Sequence, residues 1–60
     1  MPVVQIGTVV ERIGPGGTGR VKVEGEDWRG AAYDDAVLEP GTRITVIQVD
    51  GTTLMVEKES

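Results

Sequence analysis

Cysteine, histidine and phenylalanine are all absent from this chain, and its only aromatic side chains are Trp28 and Tyr33. Without cysteine there is no disulfide. Without histidine as well, carboxylates alone would have to supply every ligand of a metal ion, so no metal or other cofactor is expected. A nucleophile needs a neighbouring base, and the one serine is the last residue, Ser60. Acid–base chemistry by paired carboxylates is what remains, with Asp34, Asp35, Glu39 and the Glu24–Asp27 group as candidates. All fall in expected turns, where solvated acids are ordinary, so the chain reads as non-enzymatic, with no catalytic residue and no small-molecule substrate. A run of about 18 apolar residues, which a spanning helix requires, is also missing. No basic-then-apolar start marks a signal peptide.

Six Lys and Arg stand against ten Asp and Glu, a formal net charge of −4. That balance argues against attraction of the whole molecule to nucleic acid or anionic lipid. Sixty residues allow one small domain over 1–60. A chain of this size buries only about 60% of the surface that its unfolded form exposes. Its stability must therefore come from aliphatic packing, from a partner or from a longer chain.

What is present is Val, Ile and Thr, punctuated by nine glycines. This composition, with short segments between turns, is that of an all-β domain. A first strand is expected over Val3–Ile13, where Gly7 interrupts the side-chain row and suggests a bulge or sharp bend. GRVKVEG alternates, with Val21 and Val23 inward and Arg20, Lys22 and Glu24 outward. A tight turn at Gly25 leads to a third strand, Asp27–Tyr33, with Trp28, Gly30 and Ala32 on one face and Arg29, Ala31 and Tyr33 on the other. DDAVLEPG reads as a connection holding one helical turn capped by Asp34 or Asp35, closed by Pro40-Gly41 in a type II turn. TRITVIQV forms the fourth strand, Asp50-Gly51 is a strong hairpin signal, and TTLMVEK forms the fifth. Five strands in this order predict a small five-stranded Greek-key barrel of the OB type.

The segment GPGGTGR, Gly14–Arg20, matches the dinucleotide-binding pattern G-x-G-x-x-G. It also approaches the phosphate-loop pattern G-x-x-x-x-G-K-[ST], with Arg20 and Val21 in the last two places. Both patterns need a helix after the loop, so that its N-terminal N–H groups meet the phosphate. A strand follows here, and the glycines read as a flexible or bulged connection.

Three features have a binding character. Arg20, Lys22, Arg29 and Tyr33 would line the outer face of the second and third strands, the face on which OB barrels often bind oligonucleotides. The plain reading is a solvated face whose charges pair across the hairpin, with Glu24 among the partners. The fourth strand is apolar on both faces, Ile44 and Val46 opposing Ile47 and Val49. Either a loop covers it or it offers a protein contact strip and a route to homo-oligomers. Trp28 is core in this register, and a one-residue bulge would turn it outward as a contact anchor.

Gly7, the segment GTGRVKVEGEDWRGAA, the segment LEPGTRITVIQVDG and the closing LMVEK, taken in order over nearly the whole chain, resemble the C-terminal soluble domain of NfeD-like membrane proteins. The positions that carry the likeness are Gly7; Gly19, Val21, Val23 and Gly25; Trp28 with Ala31 and Ala32; Leu38 with Gly41; and Asp50-Gly51. The resemblance implies an OB-type barrel acting as a non-catalytic protein-interaction module. The barrel would be anchored through transmembrane segments outside this chain and would face the cytoplasm. The implied partners are stomatin- or flotillin-like (SPFH) membrane proteins, and the implied role is in regulating membrane protease activity or membrane organisation. The family brings no catalytic or ligand residues into the barrel. The alternative expectation is an oligonucleotide-binding OB module.

Overall fold

The computed structural model describes residues 5–59. It contains five strands: β1 Ile6–Glu11, β2 Thr18–Val23, β3 Glu26–Ala32, β4 Arg43–Asp50 and β5 Thr53–Lys58. They close into a barrel in the order β1-β2-β3-β5-β4, with β4 returning to β1. The β3–β5 pair is parallel and the other four pairs are antiparallel. This is the small all-β Greek-key barrel of the OB type expected from the strand order. The start of the first expected strand, Val3, lies outside the described residues.

The period of two in GRVKVEG is fulfilled: Val21 and Val23 are buried, while Arg20 and Lys22 are exposed. With Val9, Ile13, Leu38, Ile44, Leu54 and Val56 they make an entirely aliphatic core. Trp28, Ala32, Ala36 and Val46 pack around it, half-buried. Closure rests on Gly7 facing Ile44 and on reciprocal backbone bonds in which Val9 N donates to Thr42 O at 2.9 Å and Gly41 N to Val9 O at 2.8 Å.

Gly7 is not the bulge. It keeps an unbroken register with Val23 on one side and Ile44 on the other. A Cβ there would stand 2.5 Å from the Lys22 carbonyl oxygen and 2.6 Å from Val23 Cγ2. Close approach of the neighbouring strand therefore requires glycine here. The β1 bulge falls at Val10, between the Val9↔Val21 and Glu11↔Arg20 pairs, and a second falls at Ile47, between Val46↔Val56 and Gln48↔Met55.

Turn chemistry follows the dipeptides closely. Pro40-Gly41 forms the expected type II turn: Gly41 has φ +92° and Thr42 N donates to Glu39 O at 3.1 Å. Pro15-Gly16 repeats it, with Gly16 at φ +68° and Gly17 N donating to Gly14 O at 3.1 Å. Glu24 and Gly25, at φ +52° and +79°, make the type I′ loop between β2 and β3. In the last hairpin Asp50 pairs with Thr53, so Gly51-Thr52 is the loop, one residue later than the Asp50-Gly51 signal.

The helical turn expected in DDAVLEPG is absent, since no helix occurs between β3 and β4. Leu38 exchanges two 2.9 Å backbone bonds with Ile13 instead, N–H to carbonyl in each direction. Both side chains are buried, so pairing to Ile13 holds the backbone extended where a helix would have used the same groups internally. Asp34 caps no helix; its Oδ1 accepts from Ala36 N at 3.3 Å, the pattern of an Asx turn.

Candidate functional site

The Gly-rich loop lacks the following helix that both phosphate-binding patterns require. β2 follows it directly, and the Gly16 N–H is already committed to Asp35 Oδ1 at 2.7 Å. Asp35 reaches it from the β3–β4 connection, where its backbone adopts φ +63°. The other acidic residues there are also engaged: Asp34 bonds Ala36 N, and Glu39 Oε2 accepts from Arg12 Nε at 3.2 Å. Asp35 and Glu39 thus tie this connection to the residues around the Gly-rich loop, while Asp34 braces its own turn. Among the described residues no three acidic groups cluster tightly enough to hold a metal ion.

The residues singled out from the sequence fall in three places. Arg20, Lys22 and Arg29 share the outer face of β2 and β3, where Arg20 stands directly opposite Arg29 and Lys22 opposite Asp27. The expected pairing across this hairpin does not form. Among the described residues the ion pairs are Arg12–Glu39 and Arg43–Glu59, and neither involves this face. Glu24 has left the strand for the turn, where its positive φ takes it out of the alternation. Tyr33 lies at the far end of β3, 55% exposed, its N–H extending the ladder to Val56 O at 2.7 Å.

Trp28 and Val49 meet at the opposite end of the barrel, with Ile47 in the hollow beside them. No bulge interrupts β2–β3, so Trp28 keeps the inward register beside Val21, but it sits at the rim and is only half-buried. The Ile47 bulge resets the parity of β4. Val49 then faces the buried Leu54 on the inner side, beyond the point where β1 covers β4, and remains 59% exposed. A hollow of about 140 Å³ results, lined by Gln5, Val23, Glu24, Glu26, Trp28, Val49 and Leu54. A shallower one of about 300 Å³ adjoins it, sharing Gln5 and Val49 and adding Val46, Ile47 and Gln48. The sequence placed Leu54 only in the fifth strand and Glu26 only among the turn acids of the Glu24–Asp27 group; the barrel brings them to the same rim.

Comparison with known proteins agrees with this geometry. The model of the family described as NfeD-like C-terminal, partner-binding domain matches residues 3–58. A membrane-bound protease of Pyrococcus horikoshii is 41% identical over 54 residues, which are 90% of this chain and 12% of that protein, so the chain spans only a small part of that relative. The C-terminal domain of a stomatin operon partner protein, also from Pyrococcus horikoshii, superposes with a TM-score of 0.88 at 38% identity, covering 97% of this chain and 88% of that one. The soluble domain of a Corynebacterium glutamicum membrane protein implicated in regulation of membrane protease activity gives 0.86 at 30% identity, covering 97% and 92%. The soluble domain of an NfeD protein from Bacillus subtilis gives 0.85, covering 92% and 70%, and at 22% identity it speaks to the fold alone. A family match over residues 3–58, relatives above 30% identity and a shared five-stranded barrel agree: the chain belongs to the NfeD-like family, as its C-terminal, partner-binding domain.

Proposed function

We propose that this barrel is the non-catalytic partner-binding domain of a membrane-anchored NfeD-like protein. It presents a contact surface to a stomatin- or flotillin-like membrane protein on the cytoplasmic side and thereby takes part in controlling membrane protease activity or membrane organisation. The observation that carries this reading is the 38% identity, over 97% of the chain, to a domain described as belonging to a stomatin operon partner protein. The Corynebacterium glutamicum relative supplies the link to protease regulation. The chemistry is consistent with it: acidic side chains of the β3–β4 connection brace loops, and two exposed apolar residues, Ile47 and Val49, line hollows at one barrel end.

The test is calorimetric titration of the barrel with the soluble part of the stomatin-like protein encoded in the same genome. Saturable binding in the micromolar range or tighter is expected, about −8 kcal/mol. No heat and no co-elution would overturn the reading. A protease assay of the barrel alone is expected to show no hydrolysis.

An oligonucleotide-binding role is the second reading, and the face-to-face placement of Arg20 and Arg29 favours it. It requires single-strand affinity that falls steeply with salt and is abolished by Arg20→Glu or Lys22→Glu. The net charge of −4 weighs against it.

A further inference from the structure

We propose that the hollow at the Trp28–Val49 rim is a docking site for an apolar peptide segment flanked by basic residues, supplied by the partner protein; this deepens the partner-binding reading and rests on it. The floor is hydrophobic, with Val23 and Leu54 nearly inaccessible and Trp28 half-buried above them. Its volume of about 140 Å³ suits one aliphatic or aromatic side chain, since a cavity of roughly 150 Å³ accommodates benzene. The adjoining hollow along Ile47 and Val49 offers a second position for the next apolar residue of the same segment. Val49 and Ile47, 59% and 41% exposed, are costly apolar surface on a domain this small unless something covers them.

Charge selects the occupant. Among the described residues the lining holds two carboxylates, Glu24 and Glu26, and no cationic side chain. Both backbones are placed by local structure, Glu24 in the type I′ turn and Glu26 at the first position of β3. The basic side chains Arg20, Lys22 and Arg29 lie instead on the outer β2–β3 face. An apolar segment with lysine or arginine at its ends satisfies both the floor and the rim, whereas an acidic or wholly apolar segment satisfies only one.

The test uses the intact chain and its single tryptophan, which lies in the hollow and reports on it directly. A synthetic peptide with a leucine-rich centre and lysines at both ends is titrated while Trp28 emission is followed. Saturable binding is expected, weakened by salt and at least about tenfold weaker when the terminal lysines are exchanged for glutamates. Val49→Asp is expected to weaken binding by about tenfold or more, an effect of the size found at buried contact positions. Glu26→Lys is expected to reverse the preference between the two peptides. Arg29→Glu, on the outer face, is expected to leave binding unchanged. Absence of saturable binding, or binding indifferent to both Val49→Asp and Glu26→Lys, overturns the inference. So does dimerisation of the chain that Val49→Asp abolishes, which would assign the rim to a second copy. Peptide binding only after removal of residues 1–4 would assign the hollow to the chain itself and would also overturn it. If the stomatin-like partner binds the wild type and Val49→Asp equally, the docking site falls while the partner-binding function stands; if the partner does not bind at all, both fall.

Discussion

The carboxylate of Asp35 accepts a 2.7 Å hydrogen bond from the backbone N–H of Gly16, joining the β1–β2 loop to the β3–β4 connection across 19 positions of sequence. A loop whose sequence resembles a phosphate cradle thus has its anion acceptor built into the chain. The bond is exposed, so its worth is modest. Asp35→Ala removes the acceptor and also places alanine at φ +63°, a combination expected to cost about 1–2 kcal/mol. Asp35→Asn keeps an acceptor and tolerates that backbone, and should cost less than half as much. Urea denaturation of the two variants checks the order.

Gly7 and Gly19 meet backbone, whereas Gly30 meets side chains. A Cβ on Gly19 would lie 2.5 Å from both the Glu11 and Arg12 carbonyl oxygens, as one on Gly7 would from that of Lys22. At Gly30 the nearest atom is Val21 Cγ1, at 2.8 Å, which can shift. Gly7→Ala and Gly19→Ala should each cost more than about 3 kcal/mol, enough to unfold most of a domain of this size. Gly30→Ala should cost about 1–3 kcal/mol and leave a folded protein. Circular dichroism melts of the three variants separate these outcomes.

Glu24 occupies the first loop position of a type I′ turn at φ +52°, a place that suits asparagine better than glutamate. Glu24→Asn is expected to stabilise the barrel by about 0.5–1 kcal/mol, read as an upward shift of the melting temperature. A loss of stability would mean that the Glu24 side chain makes a contact outweighing the backbone gain.

Leu38 stands in for the missing helix. It is 3% exposed, paired through its backbone to Ile13, and it belongs to the aliphatic core. Leu38→Ala should cost about 2–4 kcal/mol through lost burial and the cavity left behind. Val37→Ala next to it, where the side chain is 43% exposed, should cost well under 1 kcal/mol. Equal effects from the two would contradict the packing described.

Much of the barrel was legible in the chain itself. Strict alternation at Val21 and Val23 set which face of β2 is inward, because successive strand side chains point to opposite sides. Pro40-Gly41 specified its turn because proline presets φ near −65° and glycine accepts positive φ at the next position. The absence of histidine and cysteine narrowed the chemistry whatever the fold, since no packing can supply a ligand or a base that the chain lacks. The tertiary structure decided what these local rules leave free. A period of two orients side chains without naming the neighbouring strand, so the β4–β1 closure and the parallel β3–β5 pair come only from the packed barrel. Bulges at Val10 and Ile47 have no compositional signature, because neither position carries a glycine or other residue that marks one; they show only in the pairing register. Leu38 had the pattern of a short helical connection and became extended because Ile13, 25 positions earlier, offered it two hydrogen bonds and a buried site. The rim where Trp28 meets Val49 exists for the same reason: residues distant in sequence become one surface only when the strands that carry them are brought side by side.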